Sequence, residues 1–219
     1  MKKTLYTINT VNNFMDIIYK PFGEPFKEQT EGLEIYNIMD DSLLKETLDN
    51  GGVNADVCNR MLNYAQAAQS SGADAILTTC TSVNEATKYI KKFIHIPVMN
   101  IEEPVADMAV ENGKRIGILA TLPTSPAAIG RVIKEKAAEQ GKEIELLNVV
   151  VDGAFNVLCS GDRERHDQMV CEALYKLSEE VDVIAFAQIS MSLLKHDEVK
   201  VPIYKIGTSG FKKIYSMMK

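Results

Sequence analysis

Four short polar stretches of the sequence could carry chemistry, because each follows directly after a run of apolar residues. They are residues 78–82 (TTCTS), 121–126 (TLPTSP), 188–190 (QIS) and 207–210 (GTSG). Each stretch places hydroxyls and free backbone N–H groups where a helix is predicted to begin, an arrangement that suits a carboxylate or a phosphate. Any one of them alone indicates only helix capping. Together, they favour a binding site for a small anion.

Cys80 is the residue of greatest chemical interest, since it ends a predicted strand and precedes a predicted helix. A helix N-terminus lowers the pKa of a thiol from about 8.5, so thiolate is expected near neutral pH. The competing interpretation is an inert, buried thiol at a strand end. Cys58, Cys159 and Cys171 are predicted to be packing residues. The four cysteines form no C-x-x-C pair and no Cys/His cluster, so neither a disulfide framework nor a metal site is indicated.

The elements that must position these stretches can be read from the alternation of apolar runs and amphipathic segments. Eight near-continuous apolar runs are typical of parallel strands covered by helices, which predicts an α/β fold. Ser82 and Ser125 are predicted to cap the helices that follow them, with Pro126 at the first helical position. The predicted strands are residues 4–11, 33–39, 73–80, 96–101, 115–121, 144–151, 181–188 and 201–206, and the long predicted helices are residues 53–72, 125–141 and 163–180.

The chain also resembles itself. At an offset of 111 the run at residues 4–10 aligns with residues 115–121, at 108 Asp74 aligns with Asp182, and at 105 residues 96–98 align with residues 201–203. Any two βαβ units share some of this pattern, but recurrence in the same order predicts two similar lobes. Ligands bind beyond the carboxyl ends of parallel strands, so we expect an active-site cleft between the lobes. The boundary is expected near residues 111–114, giving lobes at 1–112 and 113–206.

Composition and charge exclude several classes of protein. The chain has 219 residues, 46% hydrophobic and 25% charged, with a net charge of -6 and charges of both signs dispersed along it. These proportions predict a globular protein that binds neither nucleic acid nor an anionic membrane. The absence of a long apolar run and of a signal segment predicts a cytoplasmic location. No glycine-rich phosphate loop follows a strand, which disfavours nucleotide chemistry.

Five phrases of the sequence carry a resemblance to the aspartate/glutamate/hydantoin racemase superfamily, and it extends over essentially the whole chain. The phrases are SGADAILTTCTS, IPVMNIEEPVADMAV, RIGILATLPTS, VDVIAFAQISMS and VPIYKIGTSGFKKI. The resemblance implies an enzyme without a cofactor and with two pseudo-symmetric α/β lobes. It also implies that the segment from residue 207 to 219 joins the first lobe, and it is consistent with a homodimer.

In racemases of this superfamily two cysteines act on opposite faces of the substrate α-carbon. By position the first is Cys80, whereas Gln188 stands where the second is expected, and an amide cannot act as an acid or base near neutral pH. Ser190 is the hydroxyl that could replace the second cysteine, alongside water. The substrate-binding residues that the resemblance implies are Thr10, Thr81, Ser82, Thr121, Thr124, Ser190 and Ser209.

Several functions are consistent with this departure from the family pattern. The leading hypothesis is a racemase-like isomerase of a small carboxylate or amino-acid derivative that acts through one cysteine. Related single-cysteine enzymes decarboxylate malonate-type acids or isomerise unsaturated diacids, using a lone thiol as acid or nucleophile. A non-catalytic protein that binds a small molecule is the hypothesis from another class. A purely structural protein is disfavoured by the polar strand ends.

Overall fold

The protein is built on two parallel four-stranded sheets, as described by a computed structural model for residues 2–219. Each predicted apolar run overlaps one of the observed strands, which confirms the α/β prediction. The strands are β1 (Lys3–Asn9), β2 (Leu33–Met39), β3 (Ala75–Thr78), β4 (Val98–Asn100), β5 (Arg115–Ala120), β6 (Glu145–Val150), β7 (Val183–Phe186) and β8 (Ile203–Tyr204).

The three long predicted helices are present, and shorter helices connect the remaining strands. A π-helix (Met15–Gly23) and two 3₁₀ turns (Thr81–Val83 and Ile189–Met191) accompany the α-helices. The α-helices are α1 (Glu24–Glu28), α2 (Ser42–Asp49), α3 (Ala55–Ser70), α4 (Asn84–Ile90), α5 (Glu103–Asn112), α6 (Ser125–Glu139), α7 (Ala154–Cys159), α8 (Arg163–Ser178) and α9 (Thr208–Ser216). None of the helices in residues 2–219 is both long enough and apolar enough to cross a membrane.

The chain divides into two compact units with the same strand order. The first unit contains the residues up to Glu102 together with Gly207–Lys219, and the second contains Glu103–Ile206. The sheet orders are β2-β1-β3-β4 and β6-β5-β7-β8. In both units the first strand pairs with a strand 30 residues further along, Lys3 with Leu33 and Arg115 with Glu145. The internal repeat predicted from the sequence is therefore a repeat of structure.

One pair of aligned aspartates shows why the repeat is visible in the sequence. Asp74 Oδ2 accepts a hydrogen bond from the backbone N–H of Thr4 at 2.7 Å. Asp182 Oδ2 accepts from Lys114 and Arg115 at 2.9 and 2.7 Å. In each unit the carboxylate preceding the third strand satisfies a backbone donor at the start of the first strand. Because an unpaired backbone donor is costly, this requirement recurs at matching positions.

The middle strands of each sheet are enclosed by side chains, which is why they are almost wholly apolar. Every residue of β3 and β7 is buried. Ile8 and Ile76 of the first sheet pack against α3 and α4 in one core cluster. Leu119 and Ile184 of the second sheet pack against α8 in the other. The carboxyl ends of these strands are where the apolar pattern stops and the polar residues begin.

The second unit begins earlier than the boundary expected near residues 111–114, because α5 packs with it. Lys142 Nζ donates to the carbonyl oxygens of Val110 and Glu111, at 2.9 and 3.1 Å, at the end of α5. Lys136 of α6 lies 3.5 Å from the Asp107 carboxylate. These contacts neutralise the exposed carbonyls at the helix C-terminus. They are long-range in sequence, so the local pattern of the chain does not contain them.

The C-terminal helix α9 packs closely on the first unit, and two glycines allow that approach. Gly207 has a φ of 145°, and a Cβ there would lie 2.7 Å from the Phe22 ring. At Gly210 a Cβ would lie 2.5 Å from Ile101 Cγ1 and 2.8 Å from the Ile101 carbonyl oxygen. Only glycine fits both places. The packing fixes α9 beside the end of β4.

Candidate functional site

Cys80 lies immediately beyond the end of β3, in the first unit. Its backbone is extended, with φ -115° and ψ 114°, and the 3₁₀ turn Thr81–Val83 follows it before α4 begins. The thiol is half-buried. Hydrogen bonds from the backbone N–H groups of Ser82 and Val83 stabilise its sulfur, as does the Thr10 side chain. The short turn therefore presents donors to the thiol in the way a helix N-terminus would.

Burial nevertheless raises the pKa of the Cys80 thiol, which corrects the expectation of a thiolate near neutral pH. Desolvation is the largest cause, opposed by the Thr10, Ser82 and Val83 hydrogen bonds, and the charge of Glu102 raises the pKa further. Proximity to a helix start was the basis of the expectation. In the structure, burial and the nearby carboxylate both raise the pKa and so oppose the effect of the helix start. The resting form of Cys80 is therefore the neutral thiol.

The Thr10 hydroxyl is the predicted binding residue that reaches Cys80. Its Oγ1 is buried and makes no well-aligned hydrogen bond within residues 2–219, so its contact with the sulfur is loose. A buried hydroxyl without a firm partner is costly and is satisfied when an oxygen of a ligand approaches. Thr10 therefore has the chemistry expected of a substrate-binding group.

A chain of hydrogen bonds connects the strand ends beneath this site. Sequence reasoning did not predict it. Thr79 Oγ1 donates to Asn9 Oδ1 at 2.8 Å. Asn9 Nδ2 donates to Thr7 Oγ1 at 2.8 Å and to the Ile38 carbonyl at 3.1 Å. Thr7 in turn donates to Asn37 Oδ1 at 2.7 Å. The amide of Asn9 thus links the ends of β1, β2 and β3, which keeps the backbone around the thiol rigid.

A second polar cluster at the ends of β3 and β4 contains the completely buried carboxylate of Glu102. Asn84 Nδ2 donates to Glu102 Oε1 at 2.9 Å. Thr78 Oγ1 lies 2.6 Å from Asn100 Oδ1 and 2.8 Å from Thr87 Oγ1. The sequence signal that could have indicated Glu102 is an acid two residues beyond an apolar strand, at the same edge of the sheet as Cys80.

Gln188 occupies the corresponding place in the second unit, beyond the end of β7, and is 8% exposed. Its Oε1 accepts from the Thr121 backbone N–H at 2.6 Å, from the Thr121 hydroxyl at 3.2 Å and from the Leu122 backbone N–H at 3.2 Å. Three donors fix the orientation of the side-chain amide. Because the carbonyl oxygen is occupied, the amide can offer a ligand only its N–H₂ donors. The backbone N–H of Leu122 was missed by sequence reasoning.

Residues at aligned positions of the repeat lie near each other in both units. Thr10 approaches Cys80 in the first unit, and Thr121, which aligns with Thr10, bonds to Gln188 in the second. In both repeats the aligned threonine thus lies near the group beyond the third strand, but only Thr121 bonds to that group firmly. Only the first unit has a group at that point that can exchange a proton.

The remaining predicted site residues lie in the turns and helix starts that follow the strands. Thr81 and Ser190 begin or lie within the 3₁₀ turns and are buried, whereas Thr124 is half-buried. Ser209 lies in the first turn of α9, and its buried Oγ has no hydrogen-bond partner within residues 2–219. Their assignment to substrate binding stays a prediction.

Both predicted serine caps are wrong. The N-cap of α4 is Val83, without a side-chain capping bond, so Ser82 contributes to the turn through its backbone instead. Thr124 is the N-cap of α6, and Ser125 is its first residue, ahead of Pro126. The Ser125 hydroxyl is buried and has no partner among the described residues. The helices begin one residue away from the expected caps, within the usual uncertainty of helix ends.

The other cysteines and the histidines are not part of this arrangement. Cys58 and Cys171 are half-buried, and desolvation raises the pKa of both thiols. Cys159 is exposed, so its prediction as a packing residue is wrong, because α7 turns that side outward. His166 is fully buried and its Nδ1 lies 2.7 Å from Asp167 Oδ1. Within residues 2–219 no three His, Cys, Asp or Glu side chains are grouped to hold a metal ion.

The chain is similar to known proteins both in sequence family and in structure. A family model described as Asp/Glu/Hydantoin racemase matches residues 29–213. This match covers most of the chain and includes Cys80, Glu102 and Gln188.

Solved structures with the same fold cover the whole chain at low sequence identity. Allantoin racemase from Klebsiella pneumoniae has a TM-score of 0.71 and 16% identity, over 98% of this chain and 87% of that one. An aspartate racemase homologue from Pyrococcus horikoshii has a TM-score of 0.71 and 18% identity, over 100% and 99%. The Gly74Cys mutant of arylmalonate decarboxylase has a TM-score of 0.57 and 12% identity, over 99% and 93%. At these identities the likeness establishes the fold.

Proposed function

Because the chain belongs to the Asp/Glu/Hydantoin racemase family, we propose that it is a cofactor-independent isomerase that acts on a small carboxylate or amino-acid derivative. The reaction takes place at the α-carbon, through the single thiol of Cys80. The observation that carries this proposal is the Cys80 thiol itself, half-buried beyond β3 and held by two backbone N–H groups and Thr10. Gln188 orients the substrate through its N–H₂ group.

The proton balance of this reaction needs only the chain's own groups and water. The α C–H bond breaks as the Cys80 sulfur, in its thiolate form, takes the proton, and the electron pair is delocalised into the neighbouring carboxyl or carbonyl group. N–H donors stabilise the developing oxyanion. Racemisation then requires a proton on the opposite face, from water or from the hydroxyl of Ser190, since Gln188 has no proton to exchange near neutral pH.

A second candidate is decarboxylation of a malonate-type acid, which the raised pKa of Cys80 favours. In that reaction the bond between the α-carbon and a carboxylate breaks. Carbon dioxide leaves, and the electron pair of the bond remains on the α-carbon. The neutral thiol then donates its proton to that carbon, and the resulting thiolate regains a proton from water. A thiol that rests in its protonated form is ready for this step, whereas it must first ionise to act as a base.

Proton NMR in heavy water distinguishes these reactions. The panel is aspartate, glutamate, hydantoins, methylmalonate-type acids and maleate, each incubated with the wild-type protein and with Cys80→Ala. Exchange of the α-proton for deuterium with loss of optical rotation supports the isomerase. Loss of a carboxylate, or a cis-trans change in maleate, supports a single-cysteine lyase or diacid isomerase instead.

Cys171→Ala is the matched control, because Cys171 is half-buried in α8 and its removal should leave turnover unchanged. The expected result is turnover by the wild type and by Cys171→Ala, with turnover by Cys80→Ala reduced by at least about 100-fold. Equal turnover by Cys80→Ala would contradict the proposal. If no compound of the panel is converted and one of them protects Cys80 from alkylation, the protein is a binding homologue.

A further inference from the structure

Glu102 is exceptional among the charged residues of this protein. Within residues 2–219 it is the only acidic side chain that is buried, with no exposed area at all, and no lysine or arginine is buried. Burying a carboxylate is costly unless surrounding groups compensate for the lost water. Such a residue is expected to have a specific task, and its place in the sheet indicates which.

The register of the first sheet places Glu102 next to Cys80. The last paired residues of β3 and β4 are Thr78 and Asn100, in parallel strands. The Ile101 backbone N–H continues the ladder by donating to the Thr78 carbonyl at 2.9 Å. Two residues beyond Thr78 is Cys80, and two residues beyond Asn100 is Glu102. Both therefore leave the same edge of the sheet on neighbouring strands.

Hydrogen bonds connect the carboxylate to the turn that carries the thiol. Glu102 Oε1 accepts from Asn84 Nδ2 at 2.9 Å. The Asn84 backbone N–H in turn donates to the Thr81 carbonyl, closing the 3₁₀ turn. This is the turn whose Ser82 and Val83 N–H groups hydrogen-bond to the Cys80 sulfur. The carboxylate is thus linked through Asn84 to the turn whose N–H groups bond to the thiol.

The second repeat supplies an internal comparison. At the offset of 108 Cys80 aligns with Gln188, and at the offset of 105 Glu102 aligns with Gly207. The repeat that lacks the thiol lacks the carboxylate as well. A carboxylate needed only to support the fold would be expected in both repeats, since the two sheets share their strand order.

Among the described residues, no other charged side chain on the surrounding elements is completely buried. The charged side chains on the surrounding elements are exposed, apart from Asp40 and Glu46, which both pair with the half-buried Arg60, and Glu103, which is half-buried at the start of α5. The exposed ones are Lys45 and Asp49 of α2, Glu85 and Lys88 of α4, and Lys212 and Lys213 of α9. Glu102 is the charged group that acts on the Cys80 thiol from within the protein.

We propose that Glu102 is a positioning residue for Cys80: through Asn84 it holds the turn that orients the thiol, and from the neighbouring strand end it acts on the thiol electrostatically. This inference rests on the proposed function and favours its second candidate, decarboxylation, because it makes Cys80 a proton donor in the resting protein. A substrate whose carbanion is generated by loss of carbon dioxide fits such a donor better than one whose α-proton must first be removed.

The test is the pH profile of Cys80 alkylation by iodoacetamide, followed by mass spectrometry of the peptide that contains Cys80. Glu102→Gln keeps the side-chain oxygen that accepts from Asn84 but removes the charge. Its profile should shift to lower pH, so that at pH 7 Cys80 is alkylated severalfold faster than in the wild type. The plateau rate at alkaline pH, which reports access to the thiolate, should stay the same.

Glu85→Gln is the matched control, because Glu85 is an exposed acid of α4 whose charge raises the pKa of Cys58. It should accelerate alkylation of Cys58 and leave the Cys80 profile in place. A Cys80 profile in Glu102→Gln that has the wild-type midpoint would overturn the proposal. A changed plateau with an unchanged midpoint would assign Glu102 a purely structural role and would overturn it equally.

The coupling can also be read without altering Glu102, should Glu102→Gln fail to fold. In protein labelled with ¹³C-glutamate, the Glu102 carboxyl resonance of the wild type should shift as the thiol ionises, and Cys80→Ala should lack that step. A wild-type resonance that is flat through the alkylation midpoint would refute the inference. Neither measurement involves a substrate, so both remain decisive if the panel of carboxylates is not turned over.

Discussion

At the scale of single residues, the chemistry of this protein depends on the environment of one thiol and one amide. Cys80 and Gln188 stand at matching positions of the repeat, each with an aligned threonine near it. One position can exchange a proton and the other can only donate a hydrogen bond. The asymmetry between two otherwise similar units is the basis for expecting single-cysteine chemistry.

Replacing Gln188 tests that asymmetry. Gln188→Cys puts a thiol where the family pattern has one and releases the Thr121 and Leu122 donors to stabilise its thiolate. We expect it to increase the rate at which optical rotation is lost, by about 10-fold or more, for any compound whose α-proton the wild type exchanges. Polarimetry and deuterium exchange measure this.

Gln188→Ser is its control, since a hydroxyl of similar size to the thiol is not a base near neutral pH. If Gln188→Cys racemises no faster than Gln188→Ser, the second position does not face the α-carbon, and the pairing of Cys80 with Gln188 on one substrate is wrong.

At the scale of elements, helix α9 and the turn after β2 are the parts that hold the first unit together. Helix α9 closes on the end of β4 only because Gly210 has no side chain. The turn after β2 is held by Asp40, which accepts from Ser42, Tyr64 and Arg60. The packing of α9 depends on the absence of a side chain at Gly210, and the turn depends on the charge of Asp40. A substitution tests the first, and a change of pH tests the second.

Gly210→Ala should destabilise the protein by about 1–3 kcal/mol, the usual cost of overpacking. The new Cβ would meet the Ile101 backbone, which cannot move aside as a flexible side chain can. Gly52→Ala is the control, because a Cβ at Gly52 has no atom within 4 Å and its φ is not positive. Urea unfolding compares the two. Equal free energies of unfolding would show that α9 can shift without cost.

Asp40 should make the stability depend on pH in the acid range. Desolvation acts to raise its pKa, but hydrogen bonds from Ser42 and Tyr64 and the charge of Arg60 lower the pKa below the ordinary value of an aspartate. A lowered folded-state pKa gives stability that is present above the unfolded-state value and is lost as pH falls through the folded-state value. Asp40→Asn should therefore cost about 1–2 kcal/mol at pH 7 and progressively less in acid.

The neighbouring acid Asp41 provides the comparison for Asp40, since its side chain makes no capping bond to α2. Asp41→Asn should change the free energy of unfolding little at any pH. A difference between wild type and Asp40→Asn that stays constant from neutral pH to below pH 3 would contradict the assigned role of the carboxylate.

At the scale of the whole molecule, the first unit is discontinuous in sequence. It takes its last helix from the end of the chain, after the whole of the second unit. Phe211 and Ile214 of that helix are completely buried. The first unit therefore cannot complete its packing until the C-terminal residues are present.

A chain that ends at Ile206 should fail to fold its first unit. It loses two fully buried side chains, each worth about 2–5 kcal/mol, against a total stability of about 5–15 kcal/mol. The expected result is loss of solubility or of the cooperative unfolding transition. A chain that ends at Met217, which retains α9, should behave as the full chain does. A soluble protein ending at Ile206 with unchanged unfolding would refute the completion of the first unit by α9.

The sequence by itself determined the class of fold, the segments that form the eight strands and the position of Cys80 at a strand end. These features are local, because alternation of apolar runs with amphipathic helices and the recurrence of aspartates such as Asp74 and Asp182 are properties of short stretches. The family match agrees with the resemblance carried by equally short motifs. Predictions that depended on a single residue at a helix start, such as the caps at Ser82 and Ser125, were wrong.

Only the tertiary structure decided the protonation of Cys80, the burial of Glu102, the orientation of Gln188 and the membership of α5 in the second unit. Each depends on groups far apart in the chain, such as Gln188 with Thr121 or Glu102 with Asn84. Desolvation and hydrogen bonding act through space, so a thiol beside a helix start can have a lowered or a raised pKa according to what packs around it. The sequence determined the position of the Cys80 thiol at a strand end, and the tertiary structure determined the direction in which its pKa is shifted.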